Sequence, residues 1–333
     1  ALVIGVYQIF HASINLVTYV LYRKNKIRPR FRLLLDGLVL VFLGGTSLLS
    51  STGNSVFQLF VLGAYFFLYG VSNIRDGFLF EEEIGKNHLK RRIRISLPIV
   101  LAALIPARTL AKINKFMLEN ADEREDIHLG MVKSGKTAEL EIFVHTAETS
   151  LFSAIGHVDI CYQGRVISYG NYDPSSETLF GMVGDGVLYF CDRDKYIDLC
   201  KRESQKTLFG YGIDLTPEME KAVQKKLAEL KQLTIPWEPS ADKIMTGDGK
   251  EDYTYAYKIR HETDGELYKF IKSKFKSYFV LSTNCVLLAD TIVGQAGTDI
   301  LSPKGFIAPG TYQAYLNREF EKPNSIVVSK HVY

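Results

Sequence analysis

Cysteine is scarce. Cys161, Cys191, Cys200 and Cys285 are the four in 333 residues, too few for a disulfide scaffold, and none stands in a Cys-x-x-Cys pair, which argues against a zinc ribbon or a thioredoxin-type redox pair. No Gly-x-Gly-x-x-Gly run follows a predicted strand, and Gly184-Asp185-Gly186 reads as a turn, so a nucleotide cofactor has no support. His128, His145, His261 and His331 lack metal-ligand spacing and read as surface or capping residues; no metal or other cofactor is expected. A charge excess of one sign is also missing: 40 basic and 37 acidic side chains give a formal net charge of +3. That balance excludes a strongly basic nucleic-acid binder.

What is present is unevenly distributed. Residues 1–111 hold 13 Lys and Arg against 5 Asp and Glu, a net of +8, while residues 112–333 hold 27 against 32, a net of −5. Such asymmetry points to a membrane or a polyanion near the basic half. That half is also built of long apolar blocks. Leu2 to Tyr22, Leu33 to Ser50, Val56 to Ile74 and Ile95 to Ala111 each approach the roughly 20 residues that cross a bilayer as a helix. Four transmembrane helices are therefore expected in 1–111, the first interrupted by His11 and Asn15. A signal peptide would account only for the first block.

The stretch Arg23 to Arg32 has six basic residues and no acid, whereas Ser51 to Ser55 has no charge. Lys and Arg are retained on the cytoplasmic side, which places the first loop inside. The second basic loop, with Lys90, Arg91, Arg92 and Arg94, then puts everything after the fourth span outside. His11 and Asp36 are polar at membrane depth, which suggests function by default, although Asp36 lies beside Arg32 and reads as its solvated partner. Gly37 and Gly44 are seven apart, as are Gly63 and Gly70, giving small-residue stripes where a neighbouring backbone can come close. The pair resembles the glycine-punctuated hairpins of HdeD-like membrane proteins.

After a polar linker over 112–136 the periodicity changes. His157 to Tyr162, Gln163-Gly164 and Arg165 to Tyr169 read as strand, turn and strand, and Gly186 to Phe190 as a further strand. Leu215 to Leu233 reads as a helix with Thr216 as cap and Pro217 in its first turn. A second helix is predicted from near Thr283 to before Gly294. Strands come first and helices after, which suggests an α+β domain over 137–333.

Cys285 falls in the first turn of that second helix, where exposed N–H groups and the macrodipole favour the reactive thiolate. It needs a base. His157 follows Gly156 on a predicted strand and is the candidate; Asp159, two residues on, shares its strand face and is placed to orient the imidazole or line the pocket. Asn284 and the Cys285 backbone N–H are candidate donors to a developing oxyanion.

Gly156-His157-Val158-Asp159-Ile160, the Gly164-Arg165-Val166 turn, and a distant Thr283-Asn284-Cys285 opening a helix together resemble the permuted papain-like cysteine enzymes. These are the circularly rearranged relatives of NlpC-type cell-wall peptidases and include lecithin:retinol acyltransferase. The resemblance covers about 145–295. It implies a papain-like domain with Cys285 as nucleophile and His157 as base. It also implies a third polar residue on the strand after the base, for which Ser168, Asn171 and Asp173 stay open. Cys161, Cys191 and Cys200 lack such context, although Cys191 and Cys200 could pair as a disulfide outside the cell.

Tyr268 to Phe279 alternates bases with aromatics. It reads as a membrane-surface stripe, a nucleic-acid stacking surface or an ordinary amphipathic segment, with nucleic acid disfavoured by the domain's acidity. Trp237 reads as an interface anchor or a packed loop residue.

The expectation is thus a multi-pass protein of the cell membrane whose extracytoplasmic domain works through a Cys285 acyl-enzyme. The favoured reaction is acyl transfer from membrane lipid to an amine such as a lipoprotein. The alternatives are an amidase or endopeptidase acting on cell-wall peptide, and a non-catalytic scaffold for a membrane-protein partner.

Overall fold

The computed structural model describes residues 2–28, 30–49, 131–133, 138–145, 157–204, 208–245, 251–296, 309–322 and 325–333, with single helical positions at 59, 60, 63 and 67. Apart from those single positions, the expected third and fourth spans lie outside the described residues. The chain divides into two compact units, Ala1–His88 and Leu89–Tyr333.

In the first unit, α1 (Leu2–Lys24) packs along α2 (Phe31–Leu49). Gly37 and Gly44 lie buried on α2. A Cβ added at Gly44 would stand 2.8 Å from Ile9 and 3.1 Å from the Gly5 carbonyl oxygen, and one at Gly37 would stand 2.9 Å from Leu16. The stripe is therefore where the two helices come closest, as small residues allow. Asp36 meets Arg32 at 3.8 Å with both side chains about half exposed, which agrees with a solvated pair.

These helices correct the expectation of a polytopic helical membrane domain. Among the described residues, Phe31–Leu49 is the one helix long and apolar enough to cross a membrane. Leu2–Lys24 has the length, but it carries Gln8, His11, Ser13, Asn15 and Thr18, and such side chains are costly in hydrocarbon. Several of them satisfy themselves within the hairpin: Ser47 donates to Gln8 Oε1 at 3.3 Å, and Thr18 donates to the Ile14 carbonyl at 2.7 Å.

The second unit contains the strands β1 (Met131–Val132), β2 (Leu140–His145), β3 (His157–Tyr162), β4 (Arg165–Gly170), β5 (Val183–Asp185), β6 (Val187–Asp192), β7 (Leu208–Ile213), β8 (Thr234–Pro236), β9 (Lys243–Met245), β10 (Glu251–Tyr253), β11 (Glu266–Phe270), β12 (Ser277–Phe279) and β13 (Val327–Val332). Nine of these form one sheet in the order β1-β13-β7-β2-β3-β4-β6-β11-β8, antiparallel throughout. β5 with β12 and β9 with β10 make two small ribbons. The helices are α3 (Arg193–Ser204), α4 (Pro217–Lys231), α5 (Tyr255–Glu262), α6 (Cys285–Val293) and α7 (Pro309–Glu321).

Alternation along the strands produces two cores. Val158, Ile160 and Tyr162 of β3 face one, together with α6 (Val286, Leu288, Ile292) and α4 (Met219, Val223). Cys161 faces the other, with Phe143, Tyr189, α3 (Tyr196, Ile197, Leu199) and α5 (Ala256, Ile259). Burying each such side chain stabilises the fold by roughly 1.5–3 kcal/mol. The expected papain-like α+β arrangement, strands first and helices after, is therefore corrected: helices interleave with the strands and cover both faces of a large antiparallel sheet. α3 gave no signal in sequence because it is polar overall and offers the core only a narrow apolar edge. The expected linker also gives up its end, since Met131–Val132 already pairs with Ser329 and Lys330.

Candidate active site

The site starts from a hairpin. Gln163 (φ 50°) and Gly164 (φ 73°) form the tight two-residue turn that suits the twist of flanking strands, joining β3 to β4. These strands pair from Tyr162↔Arg165 only as far as Ile160↔Ile167. Beyond that, β3 stays on β2 through Phe143↔Asp159 and His145↔His157, and β4 stays on β6 through Ser168↔Tyr189. The ladder between β3 and β4 is thus open beside His157 and Asp159. By alternation both side chains belong to the face opposite α6. The open ladder is where an imidazole from one face can meet a thiol on the other, and Cys285 is near enough to His157 to raise its pKa.

Asp159 is the centre of the arrangement and is 1% exposed. Its Oδ1 lies 2.8 Å from His157 Nε2. Its Oδ2 lies 2.6 Å from His145 Nε2 and accepts from the Tyr196 hydroxyl at 2.5 Å. His157 Nε2 also stands 2.9 Å from Ser168 Oγ and 3.1 Å from the Tyr172 hydroxyl. Burial by itself would lower the His157 pKa, but the Asp159 carboxylate, and Cys285 after it, hold it well above 6.5. Burial would likewise raise Asp159, but His157 and His145 hold it far below 3.8. The two form an ion pair whose charges sustain each other.

Cys285 opens α6 and is 3% exposed. Asn284 is the N-cap: its Oδ1 accepts from Leu287 N at 3.1 Å and its Nδ2 donates to the Val280 carbonyl at 3.0 Å. The expected oxyanion role for this amide is therefore taken by capping, and Asn284→Ala should cost about 1 kcal/mol of stability, read as a shift in the denaturation midpoint. Tyr278 lies near the thiol: burial, followed by the nearby Cys285, raises its pKa, so the phenol keeps its proton.

The structure brings together His157, Asp159, Ser168 and Cys285 from the residues singled out in sequence. Asn171 lies apart, with its Nδ2 3.5 Å from the Gly181 carbonyl. Asp173 caps a short 3-10 turn and holds Lys269 at 2.5 Å. His145 was expected at the surface or at a cap. It is buried because its strand register sets it directly opposite His157, ring centroids 5.5 Å apart. Tyr172, Tyr196 and Tyr278 were missed as well; their only sequence signal is membership of segments otherwise rich in aromatics.

The other cysteines are free and buried, and the disulfide left open to Cys191 and Cys200 is not formed. Burial pushes the Cys161 thiol up to about 12 and raises Cys191 further. The basic aromatic run divides into β11, a 3-10 turn and β12. It buries Phe270, Phe275 and Phe279 and pairs Lys269 with Asp173 and Asp185, so it is not a continuous surface stripe. Trp237 packs on the second core with Lys269 5.0 Å above its ring. Among the described residues no group of three His, Cys, Asp or Glu could hold a metal ion. The chain matches no family model, no curated protein and no solved structure.

Proposed function

We propose that the second unit is a cysteine-dependent acyl-transfer domain held at a membrane, taking acyl groups from lipid and passing them to an amine such as that of a lipoprotein. The observation that carries this reading is one imidazole set between a buried carboxylate and a thiol at a helix N-terminus. In the reaction, Cys285 attacks the acyl carbonyl carbon as a thiolate beside the protonated His157 ring, which already carries the proton the sulfur has given up. The oxyanion meets the Cys285 N–H and the Tyr278 hydroxyl. The ester C–O bond breaks, the leaving oxygen takes the proton from His157, and a thioester remains on Sγ. An acceptor amine then attacks the thioester carbonyl, the C–S bond breaks to give back the thiolate, and the amine proton passes to His157, which restores the starting pair.

Two features favour a lipid donor over a wall peptide. Tyr169 and Tyr172 flank Tyr278 and His157, an aromatic surround that suits hydrocarbon better than a charged peptide. Phe31–Leu49 meets the length and apolarity needed for a membrane anchor, and tethering raises the effective concentration of lipid at the domain. The basic stretch Arg23 to Arg32 before that helix sets its start on the cytoplasmic side, which makes the domain extracytoplasmic.

The test is intact-mass analysis after separate incubation with acyl phospholipid and with wall peptide. The expected outcome is an acyl adduct from phospholipid that maps to Cys285 and is absent in Cys285→Ala. An adduct from wall peptide alone would replace this reading with amide hydrolysis.

A further inference from the structure

Between β4 and β6 the chain makes a small hairpin that the proposed reaction does not use. Thr178 and Val183 pair across it, with Thr178 N to Val183 O at 2.8 Å and Val183 N to Thr178 O at 3.2 Å. At the tip, Leu179 (φ 50°), Phe180 (φ 57°) and Gly181 (φ 80°) are all left-handed. Gly181 accepts that conformation freely, but for bulky side chains such as Leu and Phe it is a genuine outlier, and hairpin tips of this kind ordinarily recruit Asn, Asp or Gly. Here the strained positions carry apolar side chains aimed at solvent: Phe180 is 93% exposed and Leu179 is 49% exposed. Among the described residues no packing accounts for Phe180.

The base of the hairpin is tied to the nucleophile's own approach segment. β5 pairs with β12 through Val183↔Phe279 and Gly184↔Tyr278, and Val280 N donates to the Met182 carbonyl at 3.0 Å. The tip is thus one short ribbon away from Tyr278, which lies near Cys285, and from the segment that enters α6.

We infer that Leu179 and Phe180 form a finger that inserts into the hydrocarbon of a bilayer and sets Cys285 beside the lipid it uses. This rests on the lipid acyl-transfer reading and specifies how the substrate is met. The size of the finger selects the occupant. One aromatic side chain covers about 150–250 Å², whereas a stable protein interface needs about 800 Å² per partner. Two side chains cannot hold a free protein. They can orient a domain whose chain already carries a helix suited to span the membrane, since the tether supplies the remaining association.

Trp237 is the single tryptophan of the chain, which makes a direct test simple. The full-length double variant Trp237→Phe, Phe180→Trp is reconstituted in vesicles of phosphatidylglycerol and acyl-brominated phosphatidylcholine. The expected result is at least a twofold loss of tryptophan emission relative to unbrominated vesicles, with protection from aqueous iodide. Emission unchanged by bromination and fully open to iodide would overturn the finger. Iodoacetamide alkylation of Cys285 in the same vesicles reads the nucleophile separately. Fast alkylation with an unquenched Trp at 180 removes the finger alone, while a quenched Trp with an inert Cys285 keeps the finger and removes the thiol reading.

Discussion

Asp159→Ala is expected to lower the stability of the second unit by about 3–5 kcal/mol, the usual cost of removing one partner from a buried ion pair. Two hydrogen bonds reach one oxygen of this carboxylate, from His145 and the Tyr196 hydroxyl, and the His157 ring stands 2.8 Å from the other, so the truncation removes the charge partner of His157 and the acceptor of the other two. The pH dependence follows from the two shifts. Asp159 is depressed, so its contribution is complete above 3.8 and is lost as pH falls toward its native value. His157 is raised, so its contribution is complete below 6.5 and is lost as pH rises through its native value. Between 3.8 and 6.5 both contributions are complete and the wild type gains most from the pair. Urea denaturation followed by Trp237 fluorescence should show the difference between wild type and variant greatest in that window. In Asp159→Asn, burial is left with less to oppose it, and the NMR titration midpoint of His157 should fall. A stability loss below about 1 kcal/mol, no more than an ordinary hydrogen bond contributes, would show that the carboxylate is not the keystone of the site.

The parts of this site legible in the sequence are those that local chemistry dictates. Gln163-Gly164 specifies a tight hairpin, Thr216 and Pro217 specify a helix start, and Asn284 marks the start of α6. The i, i+2 spacing of His157 and Asp159 likewise places them together whatever the sheet order. His145 could not be read in this way. Its role depends on β2 pairing with β3 in the register His145↔His157, a non-local fact. The tyrosines come from three separate stretches that meet only through topology. Asn284 shows the converse limit: an amide beside a nucleophile suggests an oxyanion donor, but the same residue type is a preferred N-cap, and the helix end claims it. The expectation of a polytopic domain rested on block length, whereas Leu2–Lys24 carries polar residues within its block, of which Gln8 accepts from Ser47 of α2 and Thr18 bonds the Ile14 carbonyl of its own helix.

His157→Ala should reduce the iodoacetamide reactivity of Cys285 at neutral pH by about 10²-fold or more, the scale of a positioned acid–base partner. Two of the three other thiols are silenced by their surroundings: burial pushes Cys161 up to about 12 and Cys191 higher still, so neither offers thiolate near pH 7, and the position of the label separates Cys285 from Cys200. The reagent must be small, since Cys285 is 3% exposed. Peptide mapping by mass spectrometry then assigns the label. Ser168→Ala provides the comparison, since it removes one 2.9 Å contact to Nε2 while leaving both Asp159 and the thiol in place; its effect should stay within about tenfold, the worth of a single hydrogen bond. The order of the two variants carries the argument. If His157→Ala labels as fast as wild type, the imidazole does not act on the sulfur, the pair across the open β3–β4 ladder is structural, and the domain binds rather than reacts. If Ser168→Ala is as slow as His157→Ala, the orientation of the ring limits the thiol, and Ser168 is the third polar member that the spacing of the sequence left open.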